Sequence, residues 1–130
     1  MGRGVALEAT QRFPGIRFQL GQLIETKGNV VSYIDYWAPF SPASSKRGHH
    51  LVSFPVKHHW AEPADLQLIN QSCIQLVALL DSPKFRALVK SYGTVVIPRP
   101  GCGNGKRDWE KEVKPICSQL DDRFHIITKD

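Results

Sequence analysis

The chain has no apolar run long enough to cross a membrane, and its start, Met1-Gly2-Arg3-Gly4-Val5-Ala6-Leu7-Glu8, lacks the continuous apolar segment of a signal peptide. A cytoplasmic protein with no membrane partner is therefore expected. Cysteine is scarce. Cys73, Cys102 and Cys117 are odd in number and follow no metal-ligand spacing, so reduced thiols are the simplest expectation. The histidines fall mainly in two adjacent pairs, His49-His50 and His58-His59, without cysteine or carboxylate partners at ligand spacing. No metal site and no cofactor are expected from that arrangement. Internal repeats, RNA-binding motifs and zinc-finger motifs are also missing. Nor is there a block of one charge: the net +5 and the pI near 9.3 come from Lys and Arg spread along the chain. Such a balance suits an anionic ligand, a nucleotide or nucleic acid, and equally suits a solvated basic surface.

What is present suffices for one domain. A chain of 130 residues with 42% hydrophobic content can bury a core, and residues 1–130 are expected to form a single domain. Residues 4–13 read as a helix that Pro14-Gly15 ends. Residues 30–37, rich in β-branched and aromatic side chains, read as a strand after a turn at Lys27-Gly28-Asn29. Residues 38–48 hold Pro, Ser and basic residues and read as a surface loop. A second strand is expected at 50–56. Residues 64–82 give the clearest helix: Leu66, Ile69, Cys73, Leu76, Val77 and Leu80 recur at spacings of three and four. Asp65 can cap it, and Pro83 breaks it. A short helix at 84–91 and a strand at 94–98 follow. Asp108 suits the N-cap of a last helix running to about residue 119, which Pro115 should bend. Residues 124–128 read as a final strand. Alternating strand and helix in this half argue for an α/β layered fold, where ligands meet the loops that lead from strands into helices.

One such loop is unusually bare. "IPRPGCGNGKRDW", residues 97–109, holds three glycines, a cysteine and two prolines between a strand and a helix. Glycines there serve a tight turn with positive φ, or they let backbone N–H groups close on a phosphate. Gly2-Arg3-Gly4, at the entry to the first helix, is a second bare loop of the same kind.

At this point the residues resemble a known family. "MGRGVALEATQRFP" resembles the first phosphate loop and helix of macrodomains, where G-x-G-[IV]-A is followed by a helix ending near F-P. "LVSFPVKHHW", residues 51–60, is similar to the F-P-T-K-x-x-W segment of the macrodomain branch that removes ADP-ribose from DNA. "IPRPGCGNGKRDWEKEVKPI" is similar to that branch's second phosphate loop and final helix, P-x-x-G-C-G-N-G-G-L-x-W…V-K-P. The resemblance implies a three-layer α/β/α sandwich with a mixed sheet and ADP-ribose across its crest. The expected sheet lacks its first strand, because the match begins inside the first phosphate loop. By the same resemblance Gly2, Arg3, Gly4 and Val5 would meet a diphosphate from one side. Gly101, Cys102, Gly103, Asn104 and Gly105 would meet it from the other, near the distal ribose, and Pro98 at the loop's entry is a further ligand-binding candidate. Lys57 matches the branch's catalytic lysine.

Chemistry gives Lys57 a task of its own. A lysine amine can attack the electrophilic C1 of a ribose whose leaving group departs, or as an ammonium it can stabilise that group. His58 and His59 can tune it or serve as acid and base. A surface lysine at a strand end is the plainer alternative. Lys106-Arg107 departs from the small or apolar pair that follows G-N-G in the family. Those charges favour a nucleic-acid backbone or polyphosphate, or form a solvated pair at a helix start. Trp60 and Trp109 suit either base stacking or packing of loop on helix. Cys102 is either a reactive thiol or a small residue that allows close packing. The leading expectation is an ADP-ribose-binding enzyme that hydrolyses ADP-ribose from modified DNA or protein. A binding module for ADP-ribose or a related nucleotide is the alternative, followed by a degenerate macrodomain that binds nucleic acid or protein.

Overall fold

The computed structural model describes residues 15–37, 49–59, 61–103 and 105–127. The helix expected at 4–13 and the loop expected at 38–48 lie outside these residues. The chain forms two compact units, Met1–Phe54 and Pro55–Asp130. Among the described residues, no helix is long and apolar enough to cross a membrane.

The first unit holds helix α1, Ile16–Lys27, and an antiparallel pair, β1 (Ser32–Trp37) and β2 (His49–Ser53). The sequence pattern suggests no element at α1, and the reason is visible in its packing. Only Ile16 is buried, whereas Phe18 is 70% and Ile24 45% exposed, so no apolar stripe marks the helix. Two glycines with positive φ delimit it: Gly15 (φ 87°) before its first turn, and Gly28 (φ 83°), whose N–H reaches Ile24 O at 2.8 Å. Gln19 Nε2 donates to Asp35 Oδ2 at 3.0 Å, which ties α1 to β1. In the strand pair, Ser32 faces Ser53 and Trp37 faces His49, with a bulge between Tyr33 and Asp35. The Ser53 hydroxyl accepts from Ser32 N–H and donates to Val30 O. The strand expected at 50–56 thus ends early, at Ser53, and the chain runs on irregularly through Lys57.

The second unit is built on helix α2, Leu66–Asp81. Leu68, Ile69, Ser72, Cys73, Leu76 and Leu80 form its buried face, while Leu66 and Val77, expected there too, are half-buried. Ser72 is a polar member of that core, satisfied by donating to Pro55 O at 2.7 Å. Asp65 caps α2 as expected, accepting from the Gln67 and Leu68 amides. Pro83 opens α3, Pro83–Tyr92, at a position where its missing N–H costs nothing, and Gly93 (φ 93°) closes it. Strands β3 (Val95–Pro98) and β4 (Phe124–Ile127) pair in parallel, Val95 beside Phe124 and Pro98 beside Ile127. The helical crossover between them starts at Asp108, whose carboxylate accepts from Lys111 N–H at 2.8 Å. It begins as a π-helical turn, Trp109–Val113, and only then becomes α4, Lys114–Cys117. Pro115 can donate no N–H and crowds the carbonyl one turn back, so the bend expected from it takes the form of a widened turn just upstream. Arg123, ahead of β4, pairs with Asp121 at 2.6 Å and with Asp81 at the end of α2 at 2.9 Å.

Cys73 and Cys117 are buried free thiols, and Cys102 is a half-buried one. The hydrogen bond with Cys117, joined by burial, pushes the Cys73 thiol up. Core and surface positions on α2 should separate cleanly. Ile69→Ala should cost about 2–5 kcal/mol in chemical denaturation, because Ile69 is fully buried. Ile74→Ala, at a 54% exposed position of the same helix, should stay within about 0.5 kcal/mol.

Candidate functional site

The glycine loop leaves β3 at Pro98 and enters the crossover helix at Asp108. Its glycines have different duties. Gly101 has φ 73°, and a Cβ there would lie 2.8 Å from Ala64 Cβ and 2.9 Å from Ile69 Cδ1. Gly105 is buried, and a Cβ on it would meet the Gly101 backbone, 2.7 Å from its Cα. Both are bare so that the loop can fold on itself and on α2. Gly103 differs: it is exposed, its φ is not positive, and a Cβ there would meet nothing within 4 Å. Of the three it is the one where a side chain would meet open space. Lys106 N–H to Gly103 O (3.0 Å) and Arg107 N–H to Gly101 O (3.0 Å) close the loop.

The loop is fastened to the Lys57 segment by one dipeptide. Ala64 N–H donates to Gly105 O at 2.9 Å, and Asp65 N–H donates to Val56 O at 2.8 Å. Val56 immediately precedes Lys57, so two segments more than forty residues apart in sequence meet across Ala64-Asp65. Lys57 is half-exposed, beyond the last residue of β2. Asp65 also holds its neighbour: His58 Nε2 lies 3.0 Å from Asp65 Oδ2. Desolvation acts most strongly on the Asp65 carboxyl and would raise it. The Gln67 amide, then His58 and the Leu68 amide, outweigh it and hold the group below the ordinary carboxylate range.

The charged pair after the loop divides in two. Arg107 turns inward: its Nε donates to Ala64 O at 2.6 Å, and its NH1 lies 3.1 Å from Glu112 Oε2. It is a strut of the fold, which corrects its reading as a charge offered to a nucleic-acid backbone. Lys106 is exposed, and it takes the left-handed conformation, φ 61°, that a side chain rarely adopts. Glycine stands at this place in the family motif. Arg99 lies over the Trp109 ring at 4.9 Å, so one face of that indole is already covered. Cys102 donates to Pro100 O at 3.4 Å, and burial pushes its thiol up despite the nearby Arg99 guanidinium. That environment favours Cys102 as a packing residue over a reactive thiol.

The structure thus joins Lys57, Pro98, Gly101, Cys102, Gly103 and Gly105 within the second unit. Gly2, Arg3, Gly4, Val5, Asn104 and Trp60 lie outside the described residues. Sequence reasoning missed Ala64, because a lone alanine before a helix carries no signal of its own. It found Asp65 as a cap without the grip on Val56 and His58. Among the described residues no three His, Cys, Asp or Glu side chains gather as a metal would require. The first unit carries a shallow cleft of ≈ 490 Å³ lined by Gln19, Gln22, Leu23, Glu25, Thr26 and Ile34, and none of these is an expected site residue.

The loop geometry makes a stability prediction. Gly101→Ala and Gly105→Ala should each destabilise by about 1–3 kcal/mol, through overpacking and, at Gly101, a strained φ. Lys106→Gly should stabilise by roughly 0.5–1 kcal/mol as the left-handed strain is relieved. Urea unfolding of the three variants beside the parent checks both signs.

No family profile matches the chain. Curated relatives do. It is 30% identical over 130 residues to the DNA ADP-ribosyl glycohydrolases of Mycobacterium tuberculosis and Mycobacterium bovis, covering 98% of this chain and 34% of theirs. To the DNA ADP-ribosyl glycohydrolase of Thermus aquaticus it is 27% identical over 121 residues, 93% of this chain and 31% of that protein. The chain therefore spans about a third of the length of the curated relatives it matches. Among solved structures, the macrodomain of Mycobacterium tuberculosis DarG superposes with a TM-score of 0.68 at 24% identity, over 98% of this chain and 79% of that one. The macrodomain of Thermus aquaticus DarG gives 0.66 at 22%, over 100% and 81%. The expected α/β fold is thus a macrodomain fold, and the chain is similar to the DarG macrodomains over nearly its whole length.

Proposed function

We propose that this protein binds ADP-ribose and hydrolyses it from modified DNA, with Lys57 as the catalytic group. The observation that carries the reading is the junction at Ala64-Asp65, which fastens the Lys57 segment to a glycine loop with one open glycine. The names of the curated relatives support the substrate: they are DNA ADP-ribosyl glycohydrolases. The two compact units are taken as parts of one macrodomain, since the likeness to DarG macrodomains runs through 98% of the chain. We place the protein in the cytoplasm, where its free thiols stay reduced.

In this reading backbone N–H groups around Gly103 face the diphosphate. Any side chain there would stand between backbone and phosphate oxygens. Cys102 lies beside that approach, with Gly101 and Gly105 shaping the loop. Lys57 then acts on C1 of the distal ribose, its amine forming a bond to carbon as the modified base departs.

Binding and turnover should separate by mutation. Gly103→Val should fold normally, since its Cβ meets open space, and should lose ADP-ribose binding in calorimetry. Lys57→Ala should keep most affinity and lose release of ADP-ribose from modified single-stranded DNA by ~10⁴-fold or more. Lys57→Arg should fail equally, because a guanidinium keeps the charge without a usable nucleophile. Normal release by Lys57→Ala overturns the catalytic assignment. Release near the parent rate by Lys57→Arg overturns the nucleophile and leaves a role by charge. An inactive parent that still binds ADP-ribose leaves a binding module.

A further inference from the structure

Beside the proposed nucleophile stands a second group that the glycohydrolase reading does not yet use. His58 follows Lys57 directly, is 58% exposed, and has Nε2 3.0 Å from Asp65 Oδ2. The other Asp65 oxygen is already engaged, accepting from Gln67 N–H at 2.9 Å and Leu68 N–H at 3.4 Å. The carboxylate is thus fixed by the first turn of α2, and it in turn orients the imidazole. In the imidazolium, Nε2–H points to Asp65 and Nδ1–H is left over, with no partner among the described residues. Among the described residues Asp65 at the helix cap contacts it, and Lys57 and His59 are its titratable chain neighbours.

An N-glycosidic bond to a nucleobase needs such a donor. The base leaves poorly as an anion, and a proton delivered to its nitrogen makes departure possible near neutral pH. We infer that His58, held by Asp65, is the general acid that protonates the departing nucleobase while Lys57 engages the ribose. The inference rests on the glycohydrolase reading. The C1–N bond breaks with its electron pair passing to the base nitrogen. His58 Nδ1 gives that nitrogen its proton, and C1 gains a bond to the Lys57 amine. Water then displaces the lysine from C1, and a proton from that water restores the imidazolium.

The test uses the full chain and two substrates: single-stranded DNA carrying ADP-ribose on a base, and ADP-ribose linked to p-nitrophenol, a leaving group that needs no proton. His58→Gln should lower kcat on the DNA by about 10²–10⁴-fold with KM nearly unchanged, and on the nitrophenyl substrate by less than about tenfold. Asp65→Asn keeps a good N-cap while removing the carboxylate that orients the imidazole. It should lower kcat on the DNA by about tenfold and leave turnover of the nitrophenyl substrate nearly unchanged. An equal loss on both substrates, in His58→Gln or in Asp65→Asn, overturns the general acid. A parent inactive on both substrates sinks the glycohydrolase reading itself. An active parent with an indifferent His58 sinks only this inference.

Discussion

Two backbone hydrogen bonds from one dipeptide, Ala64 N–H to Gly105 O and Asp65 N–H to Val56 O, hold the second unit's site together. The glycine loop and the Lys57 segment both hang from them. The glycine loop needs a buried anchor because it has few side chains to pack. Ala64 supplies it: the residue is fully buried, and its carbonyl also accepts from Arg107 Nε at 2.6 Å. A charge-assisted bond to a buried carbonyl is among the stronger contacts available, and losing it would strand that oxygen. The Lys57 segment is irregular beyond Ser53, so it too depends on an external partner, and the Asp65 amide is that partner.

This economy explains why glycine recurs in the loop without one common purpose. Gly101 and Gly105 make room for Ala64, Ile69 and each other. Their absence of side chains is a packing requirement. Gly103 lies outside that contact, and a side chain there would meet open space. Lys106 and Arg107, adjacent in sequence and alike in charge, are separated by the same logic. Arg107 is drawn into the anchor, while Lys106 is left exposed on a strained backbone. Helix α2 then ties site to core: its N-cap steers His58, and its buried face carries Ile69 beneath the loop.

Local signals in the chain were read well wherever a single residue type decides a single local geometry. Asp65 and Asp108 cap helices because a short carboxylate reaches the free amides two or three residues on. Pro83 starts a helix because its missing N–H would be unpaired there anyway. The 3.6-residue period of α2 was legible because one face of it is buried and the other wet. Helix α1 was not, because Phe18 and Ile24 lie exposed and blur the pattern. The resemblance of three segments to macrodomains was legible as well, and the likeness to DarG macrodomains agrees with it.

Composition, periodicity and capping chemistry thus settled that this is an α/β chain with a bare loop between strand and helix, since such features act within a few residues. Which glycine is open, which basic side chain turns inward, and that Val56 and Gly105 share one anchor were decided only by tertiary packing. Arg107 and Ala64 lie 43 positions apart, and no periodicity or cap spans that distance. Their meeting depends on where α2 docks, and docking minimises exposed apolar surface and unpaired backbone groups over the whole unit at once.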